Sequence, residues 1–225
     1  MDPPSAIERG TLPSDSDRRG KIPDPLTDDA DTIRYYERAA RDYAKLIDPK
    51  PPEFRARALQ RLAALVPPGE QVIEIGSGTG RDADYLESLG IPVRRTDAVQ
   101  AFADIQAERG KDVALLDVVG DDLGGPYGGV LALCVLMHVD RDRIDEVLRK
   151  VAGAIQPGAG FLVSVREGTG ETHGPAGMAF WRRDEFAERL TAAGLAIEWD
   201  DLEVDEDGDA WLTFLTRSAL RDPPP

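Results

Sequence analysis

The chain has one cysteine, Cys134, in 225 residues. An intrachain disulfide is therefore excluded, and a cysteine-based zinc site has no ligand set; no metal site is expected. Positive charge is also scarce. Against 42 aspartates and glutamates stand 27 lysines and arginines, for a formal net charge of −15 and a pI near 4.6. Phosphate-rich partners are held by clustered cations, so this balance argues against nucleic acid or an anionic membrane as the main partner. No run of 18 apolar residues is available for a membrane span, and the opening MDPPSAIERG lacks the apolar core of a signal peptide. A cytoplasmic location is the expectation.

What is present is the composition of an ordinary globular protein, 41% hydrophobic and 31% charged, at a length that suits one well-cored domain. Residues 1–28 mix proline with Asp, Ser and Arg; such a stretch buries too little apolar surface to offset the entropy of ordering and is predicted to be a flexible tail. Residues 219–225, ending in three prolines, are predicted to be a second frayed end. No internal repeat is found.

Between these ends, helical and extended patterns alternate. Ile33, Tyr36, Ala40, Tyr43 and Ile47 fall on one helical stripe of residues 30–47. Pro51-Pro52 opens a second helix with Phe54, Ala58, Leu62 and Leu65 inward, stopped by Pro67-Pro68-Gly69. Strands are predicted at 71–75, 93–96, 113–117, 130–135 and 161–165, with the clearest intervening helix at 141–155. This rhythm means βαβ units, a mostly parallel sheet and helices on both faces. A helix near 184–193 precedes two runs, 196–204 and 210–216, whose Asp207-Gly208 marks a tight turn; they should form an antiparallel hairpin at a sheet edge. Residues 29–66 are thus expected to be helices capping a core of residues 67–218.

The stretch VIEIGSGTGRD, residues 72–82, carries the chemistry. A dinucleotide fingerprint, G-x-G-x-x-G, wants its third glycine where this chain has Arg81. Here the glycines come at every second residue, Gly76, Gly78 and Gly80, and Glu74 stands just before them at the end of an apolar strand. A carboxylate there would repel a pyrophosphate and attract an ammonium group. Two further acids, Asp97 and Asp117, follow at the ends of the next two strands.

This pattern resembles motif I of the class I S-adenosylmethionine-dependent methyltransferases, E/D-x-G-x-G-x-G. Further landmarks arrive in order: V-R-R-T-D ending at Asp97, V-A-L-L-D ending at Asp117, LALCVLMHV, IQPGAGFLVSV and FWRRDEFAERLTAAGL. The family's usual acid just before strand four is replaced by Pro126-Tyr127-Gly128-Gly129. The resemblance implies a doubly wound α/β fold with a mostly parallel seven-stranded sheet ending in an antiparallel hairpin. It also implies S-adenosyl-L-methionine as cofactor, Asp97 on the ribose hydroxyls and Asp117 on the adenine amino group. The implied cofactor site comprises Tyr43, Glu74, Gly76, Ser77, Gly78, Thr79, Gly80, Arg81, Asp97, Ala98, Asp117, Val118 and Leu133.

For the acceptor side the sequence offers less. His138 follows the fourth strand, where the family's acceptor pocket opens, and has the intrinsic pKa of a general base; the other role open to it is to pack or cap the helix beginning near Asp140. His173 lies in the Gly-rich EGTGETHGPAGM, expected to be a lid or an exposed loop. Tyr35, Tyr36, Tyr43, Phe180 and Trp181 are candidate walls of an acceptor pocket or ordinary core. Cys134 is expected mid-strand as a buried small hydrophobe, and EWDDLEVDEDGD as a solvated acidic face. The expected activity is methyl transfer to a small molecule or short peptide in a biosynthetic or tailoring reaction; the alternative is a non-catalytic S-adenosylmethionine-binding protein that regulates or scaffolds a partner enzyme.

Overall fold

The computed structural model describes residues 29–205 and 207–218, so the two predicted tails lie outside the described residues. Two helices come first, α1 (Asp29–Leu46) and α2 (Glu53–Ala63). The core then runs β1 (Val72–Ile75), α3 (Arg81–Ser88), β2 (Val93–Asp97), α4 (Gln100–Ala107), β3 (Val113–Leu115), β4 (Tyr127–Ala132), α5 (Ile144–Ala154) and β5 (Ile155–Glu167). After it come β6 (Glu171–Thr172), β7 (Met178–Trp181), α6 (Arg183–Ala192), β8 (Leu195–Val204) and β9 (Ala210–Ser218).

Strands β3, β2, β1, β4 and β5 lie side by side and parallel in that order. The chain winds outward from β1 to β3 and then returns to the other side of β1, so strand order reverses between β1 and β4. β9 adds antiparallel to β5 and β8 to β9, which completes the expected seven strands and places the predicted hairpin at the edge. Both faces of the central strands are buried, as a parallel sheet requires. Val130, Phe161 and Val163 pack toward α5 and α6, while the intervening Leu131 and Leu162 pack against Leu59 and Leu62 of α2.

Four of the five residues on the α1 stripe are used. Ile33, Tyr36, Ala40 and Tyr43 pack on Val99, Phe102 and Ile105 of α4 and the turn before it; Ile47 falls just past the end of α1. The Glu37 carboxylate fixes the register by accepting the α4 backbone N–H groups of Gln100 (2.6 Å) and Ala101 (3.1 Å). Val99, at the N-cap, supplies no side-chain acceptor of its own, so a residue from another helix does the capping.

Two expectations are corrected, and one left open is resolved. The Gly-rich segment is not an open loop: Thr172 Oγ1 accepts the Met178 N–H at 3.1 Å and closes the β6–β7 hairpin, whose β7 runs beside the end of β5. Of the two roles open to Trp181 it has that of core: it is fully buried, with the guanidiniums of Arg141 and Arg189 3.9 and 4.9 Å from its ring centre. The acidic run is partly engaged by cations and indole: Arg183 pairs with Asp200, Arg217 with Glu198, Arg166 with Asp209, and Trp211 Nε1 donates to Asp205. The nearest bases were simply too far off in sequence to be seen.

Replacing Glu37 by alanine should cost about 0.5–2 kcal/mol, the usual worth of a helix N-cap acceptor. Urea denaturation at neutral pH measures it, with Arg41→Ala as the control: its pair with Glu108 is exposed on both sides and should contribute under about 1 kcal/mol.

Candidate active site

The carboxyl ends of β1, β2 and β4 meet where strand order reverses, which is where open α/β sheets bind ligands. The loop leaving β1 holds three glycines with left-handed backbones, φ +68° at Gly76, +53° at Gly78 and +81° at Gly80. Each glycine answers a different demand. A Cβ on Gly76 would lie 1.9 Å from Val135 Cγ2, and one on Gly80 would lie 2.4 Å from Gln106 Oε1. At Gly78 nothing lies within 4 Å of the added atom: this glycine faces open space. Of the three glycines it is the one with open space in front of its Cα, where a ligand can approach the backbone.

The loop is clamped from behind by residues that sequence reasoning missed. Gln106 Nε2 donates to Ser77 Oγ and to the Gly78 carbonyl, both at 3.0 Å. Arg95 donates to Gln106 (2.8 Å) and Gly80 O (3.3 Å) and pairs with Asp84 and Glu87. Arg109 donates to the Thr79 carbonyl at 2.6 Å. A signal for the first two exists in the sequence. Arg95 interrupts an otherwise inward strand position, and Gln106 follows Phe102 by four residues on the inner face of α4, where an apolar residue belongs.

Glu74 is buried, 3% exposed, and accepts the Ser77 hydroxyl. Burial raises its pKa to about 8, with a smaller push from Asp82. Asp97 is equally enclosed. Its two oxygens accept the N–H groups of Gly78 (2.7 Å) and Val99 (2.9 Å), and burial lifts its pKa to about 6 against those bonds. Asp117 lies two residues beyond β3, half-buried, with Oδ1 on the Val119 N–H at 2.9 Å. The remaining predicted cofactor residues sort by position: Ala98 beside Asp97 and half-buried, Val118 buried with its carbonyl on Lys150, and Leu133 packed with the α2 cluster.

Arg81 is half-buried and pairs with Asp82, but it is not alone there. Arg55, from α2, donates to the other Asp82 oxygen at 2.9 Å and to Cys134 Sγ. This corrects the reading of Cys134. β4 ends at Ala132, and Cys134 sits past it with φ +59°, partly exposed, its N–H on Ser164 Oγ at 2.9 Å. The chain turns sharply there and carries the thiol out of the sheet toward the N-terminal helices.

His138 closes a short 3-10 turn, Leu136–His138. Its Nδ1 lies 2.9 Å from the Gly177 carbonyl, and its Nε2 lies 3.4 Å from the Tyr36 hydroxyl. Burial lowers its pKa, and the Gly177 bond partly opposes the shift. Tyr36 joins the two halves of the region: its ring packs edge-on against Tyr43 and His138, and burial raises its pKa with contributions from Tyr43, Cys134 and Asp97. A shallow cleft, whose enclosed space of about 20 Å³ has room for about one water, runs from His138 between Thr32 of α1 and the β6–β7 hairpin. His173 is on its rim, exposed. Among the described residues no cluster of three or more His, Cys, Asp or Glu is placed to hold a metal ion, and no helix is long and apolar enough to cross a membrane.

Residues 58–207, about two thirds of the chain, match the family model of the tellurite resistance protein TehB. The chain belongs to the TehB family. It is therefore an S-adenosylmethionine-dependent methyltransferase, with S-adenosylmethionine as its cofactor. No curated protein sequence matches the chain. Among solved structures, 1,6-didemethyltoxoflavin-N1-methyltransferase from Burkholderia thailandensis, with its substrate and S-adenosylhomocysteine bound, is 20% identical at a TM-score of 0.65, over 88% of this chain and 93% of that one. TehB from Haemophilus influenzae is 17% identical at 0.56, over 72% and 61% of the respective chains. The [4+2]-cyclase SpnF is 15% identical at 0.67, over 90% and 100%. At these identities the likeness establishes a shared fold, and a cyclase among such structures shows that the fold alone does not dictate the reaction.

The Glu74 shift has a stability consequence whose sign is fixed. Its folded pKa, about 8, lies above that of an unfolded carboxylic acid, so the stability tied to its neutral form is complete below about pH 4 and is lost as pH rises through 8. Glu74→Gln keeps the neutral shape at every pH. Denaturation of both proteins at pH 4 and pH 9 should show near-equal stability at pH 4 and a variant more stable by on the order of a few kcal/mol at pH 9.

Proposed function

We propose that this methyltransferase acts on a small protic molecule, held near His138, with the cofactor seated over Gly78. The observation that carries the reading is the glycine loop itself: a clamped backbone that leaves one open face, at Gly78, between two buried carboxyl groups. Those groups suit the cofactor. In this reading Asp97 accepts from a ribose diol, Asp117 from the adenine amino group, and Glu74 faces the cationic end. Arg55 and Arg81 are the cations beside the loop able to meet a carboxylate. When bound, S-adenosylmethionine supplies an electrophilic methyl group on a sulfonium that leaves as a neutral thioether.

The protein's own share is positioning, exclusion of water and one proton transfer. An O–H or N–H acceptor must lose a proton as its lone pair takes the methyl carbon and the carbon–sulfur pair stays on sulfur. His138 Nε2 receives that proton. Its lowered pKa keeps the imidazole neutral, and so basic, at neutral pH. The Tyr36 hydroxyl now near Nε2 marks the place an acceptor hydroxyl would take. The cleft is shallow and partly polar, and the net charge of −15 suits neutral or cationic acceptors better than nucleic acid. A tailoring reaction in the cytoplasm is consistent with these features.

Asp97→Ala should weaken S-adenosylmethionine binding about ten- to a hundredfold, since charge-assisted hydrogen bonds to a diol are worth about 1.5–3 kcal/mol. Calorimetry with the purified protein decides it, and an unchanged Kd rejects the site. The acceptor class is tested by release of S-adenosylhomocysteine over a panel of phenols, alcohols, amines, thiols and tellurite. His138→Asn should abolish most turnover on the O–H and N–H acceptors while leaving cofactor affinity within about twofold. Wild-type turnover in that variant rejects the histidine's role.

A further inference from the structure

A backbone carbonyl can only accept a hydrogen bond. The 2.9 Å contact between His138 Nδ1 and the Gly177 oxygen therefore fixes the proton of the neutral imidazole on Nδ1. Nε2 is left as the lone-pair nitrogen, facing Tyr36 and the N-terminal helices. Free histidine favours the opposite tautomer, so a specific structural element has to impose this one.

That element is built with care for register. Gly177 N–H donates to the Gly174 carbonyl at 2.9 Å, closing the turn, and the neighbouring Met178 N–H is held by Thr172 Oγ1 at 3.1 Å. Phe180 N–H reaches back to Gly170 O at 2.9 Å, tying the strand to the base of the hairpin. Arg141, three residues past His138, fastens the same hairpin to the loop that carries the histidine: its backbone N–H donates to Glu171 at 2.7 Å and its guanidinium to the Phe180 carbonyl and Glu185. Gly177 itself has no room for a side chain, because a Cβ there would lie 2.8 Å from the Thr172 carbonyl.

We propose that the β6–β7 hairpin is a positioning element for methyl transfer: the Gly177 carbonyl sets the tautomer of His138 so that Nε2, the nitrogen facing Tyr36, is its basic atom. The catalytic meaning of this bond rests on the reading of His138 as the base. The tautomer itself does not.

The test separates the two. Imidazole nitrogen NMR of the full ¹⁵N-labelled chain, at a pH where both histidines are neutral, reports which ring nitrogen carries the proton. A His138→Asn spectrum assigns the signals, since there are only two histidines. Wild-type protein should show His138 protonated on Nδ1. Gly177→Ala, which must displace the turn, should bring up the Nε2-protonated form several-fold. Thr172→Val, which removes the hydroxyl clip without adding bulk, should do so in the same direction. With an acceptor from the panel, Gly177→Ala should lower kcat at least tenfold with an unchanged Kd for S-adenosylmethionine. An Nε2-protonated His138 in the wild type, or a tautomer indifferent to both substitutions, overturns the proposal. The predicted tautomer together with normal turnover in His138→Asn defeats the base reading instead, and with it the catalytic role of the hairpin.

Discussion

The site depends on one buried cation. The Arg95 side chain, 2% exposed, would be costly to enclose without partners, and it has four: the Gly80 carbonyl, Gln106, Asp84 and Glu87. Through Gln106 it fixes Ser77 and the Gly78 carbonyl; through Asp84 it is tied to Arg109, which holds Thr79. Three successive left-handed glycines would otherwise be the most mobile stretch of the core, since glycine loses the most backbone freedom on ordering. A guanidinium with planar, fixed donors is suited to this task in a way that a lysine is not. The loop is preorganised by protein contacts alone, and a ligand meets a surface already shaped.

The sequence made the sheet and the acids at its strand ends legible because both obey local rules. Strands buried on two faces read as short apolar runs, the glycines break that pattern at fixed spacing, and an acid at a strand end is visible without knowing its neighbours. Arg95 and Gln106 were legible only as anomalies, polar residues at inward positions. What stayed hidden is long-range. Glu37 caps a helix 63 residues away, Arg55 reaches Cys134 across 79 residues, and Gly177 meets His138 across 39. No periodicity records such pairings. The β6–β7 hairpin was missed for a related reason: two of its residues in β6 and four in β7 are too few to show an alternation, and its closure relies on the Thr172 hydroxyl, not on a turn dipeptide.

The same contrast separates the two sides of the site. Around the glycine loop most elements belong to the parallel core, so the loop's geometry follows largely from the winding of the sheet. On the acceptor side the walls are additions to that core, α1 laid on α4 and the hairpin laid on the end of β5. They meet at His138, one on each ring nitrogen. Additions of this kind can change in length and composition without disturbing the sheet, and the same fold is found in an N1-methyltransferase and in a [4+2]-cyclase.

Electrostatics in the site point in a single direction. Burial pushes Glu74 up to about 8 and Asp97 to about 6, and pushes His138 down. All three shifts favour the neutral form, which is what a low-dielectric enclosure does to groups lacking a full counter-charge. A cation placed beside Glu74 reverses the balance, because its field stabilises the carboxylate that burial penalises. A cation held beside Glu74 would therefore favour release of its proton. The Gly177 carbonyl acts on His138 in the opposite sense to burial, raising its pKa in part, and burial outweighs it.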